Sequence, residues 1–516
     1  MTAAQIGNKN LMRLLEDNKD TLYGKKYHFS EIKDVDTYRQ TVPLSNYEDF
    51  RADIEEMLRG EKDILTVYPI VSFCRTSGTS GLEKNIPITE EALFRYSDYL
   101  ESHKKKVMRK YGEKRLFVNT FRTDLEQDVE SPLLLSEIFY RFLLEQGYLN
   151  MEEYVGGSLL LFQKHAEDIF YAKVWAAMLT EDIVLIESIF LYEQLCFFHY
   201  MESHWEEVLW GIRNHTIPRM LRIPDNVQIW LLEMEVREER LADIEKECKK
   251  GFEQIASRLW PNLQLVSGIS NRAFYSEDAA LRKYTGDIPM HYFCYCASEC
   301  YIGTARNNQD FSFFLQSQCA FFEFLPYSAE QEIEENSRTF LADELKIGEM
   351  YEVVITNFSG LYRYKMGDVI KVTDYLDECP VFEVMFRKNI ALNIAGEKVG
   401  VGQLEGVMSD ISKYSYEVEE YCFATSTDTI PGNYQVFLSM EDQQQVVDVE
   451  EISSLIDKAL RRKNSDYNDL REMGRIGKVA VYLLDKDTYM ELMKKNGLMD
   501  GHGKPRHISL KGFDNR

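Results

Sequence analysis

Hydrophobic and polar positions follow two different patterns along the chain, and the change falls near residue 263. Before that point, apolar residues recur at helical spacing, which predicts helices over 8–60, 132–145 and 193–213 and a long charged amphipathic stretch over 226–260. After it, short apolar runs between turn residues predict the strands 263–267, 290–296, 320–325, 350–356 and 369–373. The pattern predicts an α/β fold in which helices dominate first and strands later.

A second, smaller unit follows the polar sequence Phe386-Arg387-Lys388-Asn389. Its strand-like runs, 419–425, 434–440 and 478–484, alternate with helical patterns over 449–463 and 487–496. A chain of 516 residues is also too long for one ordinary core. We therefore predict an N-terminal domain of mixed sheets flanked by helices (1–386), a hinge (387–389) and a small mobile C-terminal α/β domain (390–516).

Three local patterns in the first 200 residues make more specific predictions. Pro43-Leu44-Ser45 is expected to cap a helix over 47–59, and the apolar run 67–73 to form a buried strand. The most apolar helical pattern covers 183–200, but Glu187 and Glu193 interrupt it. This stretch is too polar and too short to span a bilayer.

Net charge and cysteine usage narrow the class of protein. The formal charge is −25, and an acidic surface argues against a nucleic-acid partner. The nine cysteines are scattered, and residues 1–10 contain no apolar signal-peptide core. We therefore expect free thiols in a cytoplasmic protein that has no membrane anchor.

The loop Thr76-Ser77-Gly78-Thr79-Ser80-Gly81-Leu82-Glu83-Lys84 is the first candidate for chemistry. Its backbone N–H groups and hydroxyls suit a phosphate chain, and its lysine adds positive charge. A Walker A loop has four residues between its first glycine and a Gly-Lys-Ser/Thr, whereas only two residues separate the glycines here. The loop indicates nucleotide chemistry of another kind, with a plain glycine-rich turn as the alternative.

Two later segments place acidic residues beside predicted strands. Glu299 ends an apolar strand in Tyr295-Cys296-Ala297-Ser298-Glu299, where its carboxylate is suited to bind Mg²⁺. Asp368 follows the glycine turn of Gly360-Leu361-Tyr362-Arg363-Tyr364-Lys365-Met366-Gly367-Asp368 and opens a strand, where it can accept two ribose hydroxyls. Taken singly, each has a plain alternative: a solvated glutamate in a surface turn and a β-turn aspartate.

Together, and in this order, the three segments resemble those of the adenylate-forming superfamily. That group shares a Ser/Thr-Gly loop ending in lysine, a Tyr-x-x-x-Glu element and a Tyr-Arg-x-Gly-Asp element, to which this chain adds one residue. The residues within these elements resemble those of the acyl-acid amido synthetases, the Gretchen Hagen three family of auxin and jasmonate conjugation in plants. Residues 41–49, 57–61, 86–89, 322–326 and 504–506 are similar too, so the chain looks like a shorter, bacterial-type member with the adenylate-forming fold.

The resemblance implies a role for each residue of the three segments. The phosphates of ATP would be wrapped by Thr76, Ser77, Gly78, Thr79, Ser80, Gly81 and Lys84. The adenine and α-phosphate would be lined by Tyr295, Ala297, Ser298 and Glu299, with Glu299 holding Mg²⁺. Asp368 would bind the ribose.

The resemblance also implies residues beyond the third segment. Arg387 and Lys388 would lie at the hinge, with Arg387 next to the nucleotide. Lys398 is the candidate for a lysine that contacts the adenylate, and Lys504 lies where many relatives carry a C-terminal catalytic lysine. The catalytic candidates are therefore Lys84, Lys398 and Lys504. Arg75 departs from the family pattern, which usually has a small residue there.

The implied reaction is ATP-dependent adenylation of a small carboxylic acid, followed by transfer of the acyl group to an amine, expected to be an amino acid. The transition state spreads negative charge over phosphate oxygens, so N–H groups, a lysine and Mg²⁺ suffice without a protein nucleophile. No nucleic acid, membrane or obligate protein partner is expected. Two alternatives stay open: transfer to a thiol such as coenzyme A or a carrier protein, and a nucleotide-binding protein without catalysis.

Two other groups of residues are weaker candidates. Cys294, Cys296 and Cys300 have the composition of a metal or redox cluster, but two cysteines on one strand face lack the usual Cys-x-x-Cys spacing. Buried structural thiols are the preferred interpretation. His199 and His204 are five residues apart in a helical pattern and do not share a helix face well, which indicates core or rim histidines.

Overall fold

The structure is a computed structural model of the chain. It describes residues 1–76, 84–96, 114–119, 138–139, 142–143, 145, 151–162, 168–270, 275–306, 311–327, 338–388, 390–412, 418–440, 448–496, 498 and 508–509. Within these residues, none of the helices is both long and apolar enough to cross a bilayer.

Helices with defined bounds occur along the whole chain. They are α1 (Ala3–Asn18), α2 (Leu22–Lys26), α3 (Val35–Thr41), α4 (Tyr47–Leu58), α5 (Gly157–Leu161), α6 (Ile169–Leu179), α7 (Leu191–Asn214), α8 (Asp225–Glu233), α9 (Glu238–Lys249), α10 (Ile255–Leu259), α11 (Tyr275–Thr285), α12 (Val401–Ile411), α13 (Val449–Lys463), α14 (Ser465–Glu472) and α15 (Lys486–Lys495). Short 3₁₀ helices cover Phe29–Glu31 and Met151–Glu153.

Most of the strands lie after residue 260. They are β1 (Ile70–Thr76), β2 (Lys84–Thr89), β3 (Lys114–Phe117), β4 (Ile183–Phe190), β5 (Leu265–Ile269), β6 (Met290–His291), β7 (Cys294–Cys296), β8 (Tyr301–Ala305), β9 (Ser312–Leu315), β10 (Ala320–Pro326), β11 (Met350–Asn357), β12 (Tyr364–Leu376), β13 (Cys379–Arg387), β14 (Ile390–Leu392), β15 (Val399–Gly400), β16 (Val418–Ser426), β17 (Asn433–Met440) and β18 (Ala480–Leu484).

The chain forms two compact units. The first consists of Met1–Arg75, Asn85–Gln194 and Met201–Lys388. The second consists of Thr76–Lys84, Leu195–Tyr200 and Asn389–Arg516. The domain limits and the hinge that we predicted around 387–389 stay predictions, and each unit is described below by itself.

The first unit is built on an antiparallel sheet and a parallel sheet. The antiparallel sheet has the strand order β10-β11-β12-β13-β9-β8-β7, and the parallel sheet has the order β3-β4-β5-β6. In the antiparallel sheet, β12 and β13 pair so that Asp368 lies opposite Arg387. That register brings two predicted site residues next to each other, because directly opposed side chains on adjacent strands lie about 5 Å apart.

Buried apolar side chains pack the helices of the first unit against these sheets. Tyr38, Phe50 and Tyr362 are fully buried in one hydrophobic cluster, which joins the N-terminal helices to the antiparallel sheet. Helix α6 is buried on nearly all sides, and Trp175 within it is completely inaccessible. A helix that is apolar all round has to be covered by other elements, so α6 is a core helix.

The C-terminal part of the second unit, from Ile390 onward, has its own sheet and core. Strand β17 pairs antiparallel with β16 and parallel with β18, while β14 pairs with β15. Asp448 caps α13, and the helix buries Ile452, Ile456 and Leu460 on one face. A capped amphipathic helix on a mixed sheet is a stable small α/β arrangement.

The α/β fold class predicted from the sequence is confirmed, but four local predictions are wrong. The run 67–73 does not form a buried strand, because β1 begins at Ile70 and both Val67 and Val71 are exposed. The stretch 183–200 contains strand β4 followed by the start of α7, and is not one helix. The stretch 226–260 is divided among α8, α9 and α10. Helix α4 is capped by Asn46, whereas the hydroxyl of Ser45 donates to the carbonyl of Tyr362.

Candidate functional site

A tight turn after β7 positions Glu299 in the first unit. Ala297 and Cys300 exchange backbone hydrogen bonds of 2.9 and 3.2 Å, and the side-chain amide of Asn357 donates to the carbonyl of Glu299 at 2.7 Å. Glu299 is only 5% exposed. The turn therefore holds a buried carboxylate in one fixed place, at the end of the strand where the sequence predicted it.

Arg387 lies between the two acidic residues of the candidate site. Its guanidinium is 3.6 Å from the carboxylate of Asp368 and 3.7 Å from the carboxylate of Glu299. Burial opposes the charge of Arg387, but the carboxylates of Asp368 and Glu299 raise its pKa above the ordinary arginine value. The guanidinium is therefore a permanent cation that partly balances two buried negative charges.

Tyr364, which is buried, and Tyr295, which is half-buried, complete a wall of side chains with Glu299, Asp368 and Arg387. The hydroxyl of Tyr364 donates to Glu299 at 3.4 Å, and burial followed by the charge of Glu299 raises the pKa of Tyr364. Burial, followed by the charge of Asp368, also raises the pKa of Tyr295. Both phenols are therefore neutral at physiological pH, and Tyr295 packs against the rings of Phe313 and Phe382. Such an aromatic face is suited to stack on a flat ring.

The turn that carries Glu299 also contacts the strand that leads into the phosphate-loop candidate. The thiol of Cys74 donates to the hydroxyl of Ser298 at 3.2 Å, and the hydroxyl of Tyr96 donates to the carbonyl of Ala297 at 3.2 Å. Cys74 belongs to β1, which ends at Thr76. The structure thus brings Tyr295, Ala297, Ser298, Glu299, Asp368 and Arg387 together in the first unit.

The loop and lysine candidates are not part of this group of residues in the first unit. Ser77, Gly78, Thr79, Ser80, Gly81 and Lys504 lie outside the described residues. Thr76 ends β1 and Lys84 opens β2, its paired strand, while Lys398 directly precedes β15. Thr76, Lys84 and Lys398 belong to the second unit. Their roles toward a nucleotide stay predictions.

Three residues that contribute to the site, Asn357, Tyr364 and Cys74, were not predicted from the sequence. Tyr364 is inside the third motif, so the motif itself contained the signal. Asn357 precedes the glycine turn, where asparagine commonly binds backbone groups, and its Oδ1 accepts from the N–H groups of Ser359 and Leu361. Arg363 of the same motif points elsewhere, into a buried ion pair with Glu323.

The carboxylate of this wall suits a Mg²⁺ ion that is bound partly by the protein and partly by the substrate. Mg²⁺ is usually bound through one or two carboxylates plus substrate phosphates and water, and Glu299 supplies one such buried carboxylate. The described residues contain no group of three or more His, Cys, Asp or Glu side chains that could hold a metal alone. Cys294 and Cys300 are buried thiols and Cys296 is half-buried, which agrees with a structural role.

Comparison with known protein families decides where the chain belongs. Residues 1–290 match the GH3 family N-terminal domain, which is more than half of the 516 residues. The chain belongs to the GH3 family. Two further matches support this: residues 313–387 to the GH3 family central domain and 403–512 to the GH3 family C-terminal domain. The resemblance inferred from the motifs is confirmed.

Individual GH3 relatives agree over nearly the whole length. The chain is 25% identical over 531 residues to indole-3-acetic acid-amido synthetase GH3.5 of Arabidopsis thaliana, covering 95% of this chain and 86% of that protein. It is 27% identical over 476 residues to indole-3-acetic acid-amido synthetase GH3.2 of the same plant, covering 87% and 86%. The alignable length indicates that the GH3 architecture is present over most of the chain.

Solved structures establish the fold. The GH3.15 acyl acid amido synthetase has a TM-score of 0.67 at 23% identity, covering 97% of this chain and 89% of that one. A 2-hydroxyisobutyryl-CoA ligase in complex with 2-HIB-AMP and CoA has a TM-score of 0.51 at 10% identity, covering 93% and 86%. The chain therefore has the adenylate-forming enzyme fold that we predicted, with a large N-terminal and a smaller C-terminal part.

Proposed function

We propose that this GH3 protein is a ligase that uses ATP to activate a small carboxylic acid as its adenylate and then transfers the acyl group to an amino acid. The observation that carries the proposal is the buried wall in which Arg387 lies between Glu299 and Asp368. Family membership supports the same reaction, because GH3 relatives are named as amido synthetases. The products are an amide, AMP and pyrophosphate.

In the first half-reaction, a carboxylate oxygen of the acid attacks the α-phosphorus of ATP and pyrophosphate leaves. Asp368 accepts hydrogen bonds from the ribose hydroxyls, and the neutral ring of Tyr295 lies along the adenine. Glu299 would hold Mg²⁺, which would neutralise phosphate charge there. The loop Thr76–Lys84 donates backbone N–H groups and the Lys84 ammonium to the phosphates.

Arg387 gives this wall its electrostatic balance. Two carboxylates buried near each other repel, and burying both without a cation costs several kcal/mol, of the order found for unpaired buried charges, about 3–5 kcal/mol. The guanidinium of Arg387 offsets this repulsion through its contacts with Glu299 and Asp368, at 3.7 and 3.6 Å. The wall is therefore preorganised for ligands that bring a cation and hydroxyl donors.

In the second half-reaction, the amine of an amino acid attacks the adenylate carbonyl and AMP leaves. The segment 387–389 acts as the hinge, and the C-terminal domain supplies Lys398 and Lys504 in turn. Lys388 is anchored to the first unit, since its ammonium is 2.9 Å from Glu352 and its N–H donates to the carbonyl of Gly367 at 2.7 Å. These two contacts hold the end of the hinge that belongs to the first unit. The protein acts in the cytoplasm without an obligate protein partner.

Release of pyrophosphate tests the proposal. The purified protein is incubated with ATP, Mg²⁺ and one acid from a panel of indolyl, aryl and fatty acids, with indole-3-acetic acid first because of the relatives' names. Release that requires one acid and rises with amino acids supports an amido synthetase. Release that is indifferent to amino acids but rises with coenzyme A favours the thiol acceptor, and no release with any acid contradicts the proposal.

A further inference from the structure

Glu397 is a completely buried carboxyl group in the second unit, directly before Lys398. Its Oε1 accepts from the N–H of Ile394 at 2.6 Å and from the hydroxyl of Tyr434 at 2.8 Å. Its Oε2 accepts from the N–H of Ala395 at 2.8 Å. No described lysine or arginine forms an ion pair with it, so three hydrogen-bond donors and no cation hold this charge. Such an arrangement is costly to bury and therefore calls for a reason.

The backbone that Glu397 binds is the loop between β14 and β15. Leu392 and Val399 are paired across the two strands, so 393–398 form the connection between them. Asn393 accepts from the N–H of Gly396 at 3.0 Å, and Gly396 has a φ of +104°, which favours glycine. Together with the contacts of Glu397, these bonds fix the loop from its first residue to the residue before Lys398.

Lys398 is also fixed from the other side. Its carbonyl accepts from the side-chain amide of Asn464 at 3.0 Å, and Asn464 is the N-cap of α14. The ring of Tyr434 lies 5.1 Å from the ring of Tyr467, whose hydroxyl donates to Asp457 at 2.7 Å. The backbone of Lys398 is therefore connected to β17 and to the α13–α14 pair, all within the second unit.

We propose that Glu397 and Tyr434 are positioning residues for Lys398: they fix the backbone of the 393–398 loop so that the lysine reaches the adenylate in one geometry. This inference rests on the proposed function, because it gives Lys398 a task in the reaction. Fixing the backbone in advance removes conformational freedom that the reaction would otherwise have to restrict, and a displacement of 1 Å at a reacting group costs about 100-fold in rate.

The protonation state of Glu397 gives the proposal a second observable. Burial raises the pKa of Glu397 to about 7, against the lowering effect of its hydrogen bonds with Ala395, Tyr434 and Ile394. The titratable groups that face it are Tyr434 on β17 and Tyr467 on α14, both of which stay neutral because burial raises their pKa values. The ionised carboxylate accepts hydrogen bonds from all three donors. A protonated oxygen is itself a donor, which weakens the contacts of Glu397 with Ile394, Ala395 and Tyr434, hereafter the clamp.

The test is a double-mutant cycle between the clamp and the lysine. Glu397→Gln and Tyr434→Phe are each made in the wild type and in Lys398→Ala, and the pyrophosphate-release and amide-forming half-reactions are measured separately. Each clamp variant should slow the half-reaction that depends on Lys398 by about 10- to 100-fold in the wild type and have little further effect once the lysine is absent. In the wild type, the rate of that half-reaction should fall as the pH drops below about 7, the pKa of Glu397, and this fall should be absent in Glu397→Gln.

A matched control and a second measurement distinguish a general folding defect from a specific loss of Lys398 positioning. Tyr489 is likewise fully buried in the second unit, and its hydroxyl makes no hydrogen bond with any described residue, so Tyr489→Phe should leave both half-reactions unchanged. Amide hydrogen exchange of a peptide covering 390–400 should accelerate in Glu397→Gln and Tyr434→Phe but not in the control.

The outcomes separate the two hypotheses. Equal losses with and without Lys398, or unaltered exchange in the 390–400 peptide, would overturn the positioning role and leave the proposed function standing. A wild-type rate in Lys398→Ala would overturn it too. If the wild-type protein released no pyrophosphate with any acid, the proposed function itself would fail, and the positioning role with it.

Discussion

The ion pair between Glu323 and Arg363 permits the sharpest stability prediction. Glu323 lies on β10 with 1% exposure, and its two oxygens are each 3.0 Å from the guanidinium nitrogens of Arg363. Thr339 and Arg39 also donate to Glu323, at 2.5 and 3.2 Å. The perturbation is Glu323→Gln, which keeps the shape of the side chain and removes its charge.

The structure sets the size of the effect. Removing one partner of a buried, bidentate pair leaves an uncompensated buried charge and costs about 3–5 kcal/mol. Arg363 keeps two acceptors, the carbonyls of Arg39 and Val42 at 2.8 Å each, which reduces the loss. We therefore expect Glu323→Gln to lower the free energy of unfolding by about 3 kcal/mol, near the bottom of that range.

Urea unfolding followed by fluorescence and circular dichroism measures this loss, with separate transitions assigned to the two units. Glu56→Gln is the matched control, because its partner Arg59 is 63% exposed and Glu56 is 50% exposed, and an exposed pair contributes about 0.2–1 kcal/mol. The double variant Glu323→Gln with Arg363→Met should lose less than the sum of the single variants. A cost for Glu323→Gln no larger than that for Glu56→Gln would refute the reasoning.

Three further predictions concern the candidate site and the second unit. Asp368→Ala should weaken ATP binding measured by calorimetry about 10- to 100-fold, because it removes a charged hydrogen-bond acceptor for the ribose, and unchanged binding would exclude that contact. Glu299→Gln should raise the half-saturating Mg²⁺ concentration and lower acid-dependent pyrophosphate release about 100-fold or more; a normal Mg²⁺ titration would argue against its role as a ligand. Because the folded pKa of Glu397 is raised to about 7 from 4.5, the folded state binds the extra proton, so stability is present below pH 4.5 and falls as pH rises to 7. Compared with Glu397→Gln, the wild type should lose about 3 kcal/mol over that window in pH-dependent unfolding, and parallel curves would contradict this.

Elements with a strong local signal could be predicted from the sequence. The helix expected over 449–463 coincides with α13, because an acidic cap, basic residues in the last turn and a regular apolar face all agree. The stretch 183–200 failed for a physical reason: β4 is buried along most of its length, so its residues show no period-two alternation. Periodicity alone cannot separate a fully buried strand from a buried helix.

Some residues of the candidate site could likewise be predicted from the sequence, whereas the contacts that hold them could not. Glu299 and Asp368 follow from their positions at strand ends, and the resemblance supplied Arg387. The contacts of Asn357 and Tyr364 with Glu299 could not be predicted, because they join residues 58 and 65 positions apart in the chain. Such contacts depend on the order of strands in the sheet, which a single sequence does not specify.

The most direct test of the central claim is detection of the product itself. The protein is incubated with ATP, Mg²⁺, the acid that supports pyrophosphate release and a mixture of amino acids, and mass spectrometry measures N-acyl amino acid and AMP. The account predicts equal amounts of both, and about 10- to 100-fold less of each when Asp368→Ala replaces the wild type at limiting ATP. AMP formed without any amide, or with a thioester in the presence of coenzyme A, would contradict it.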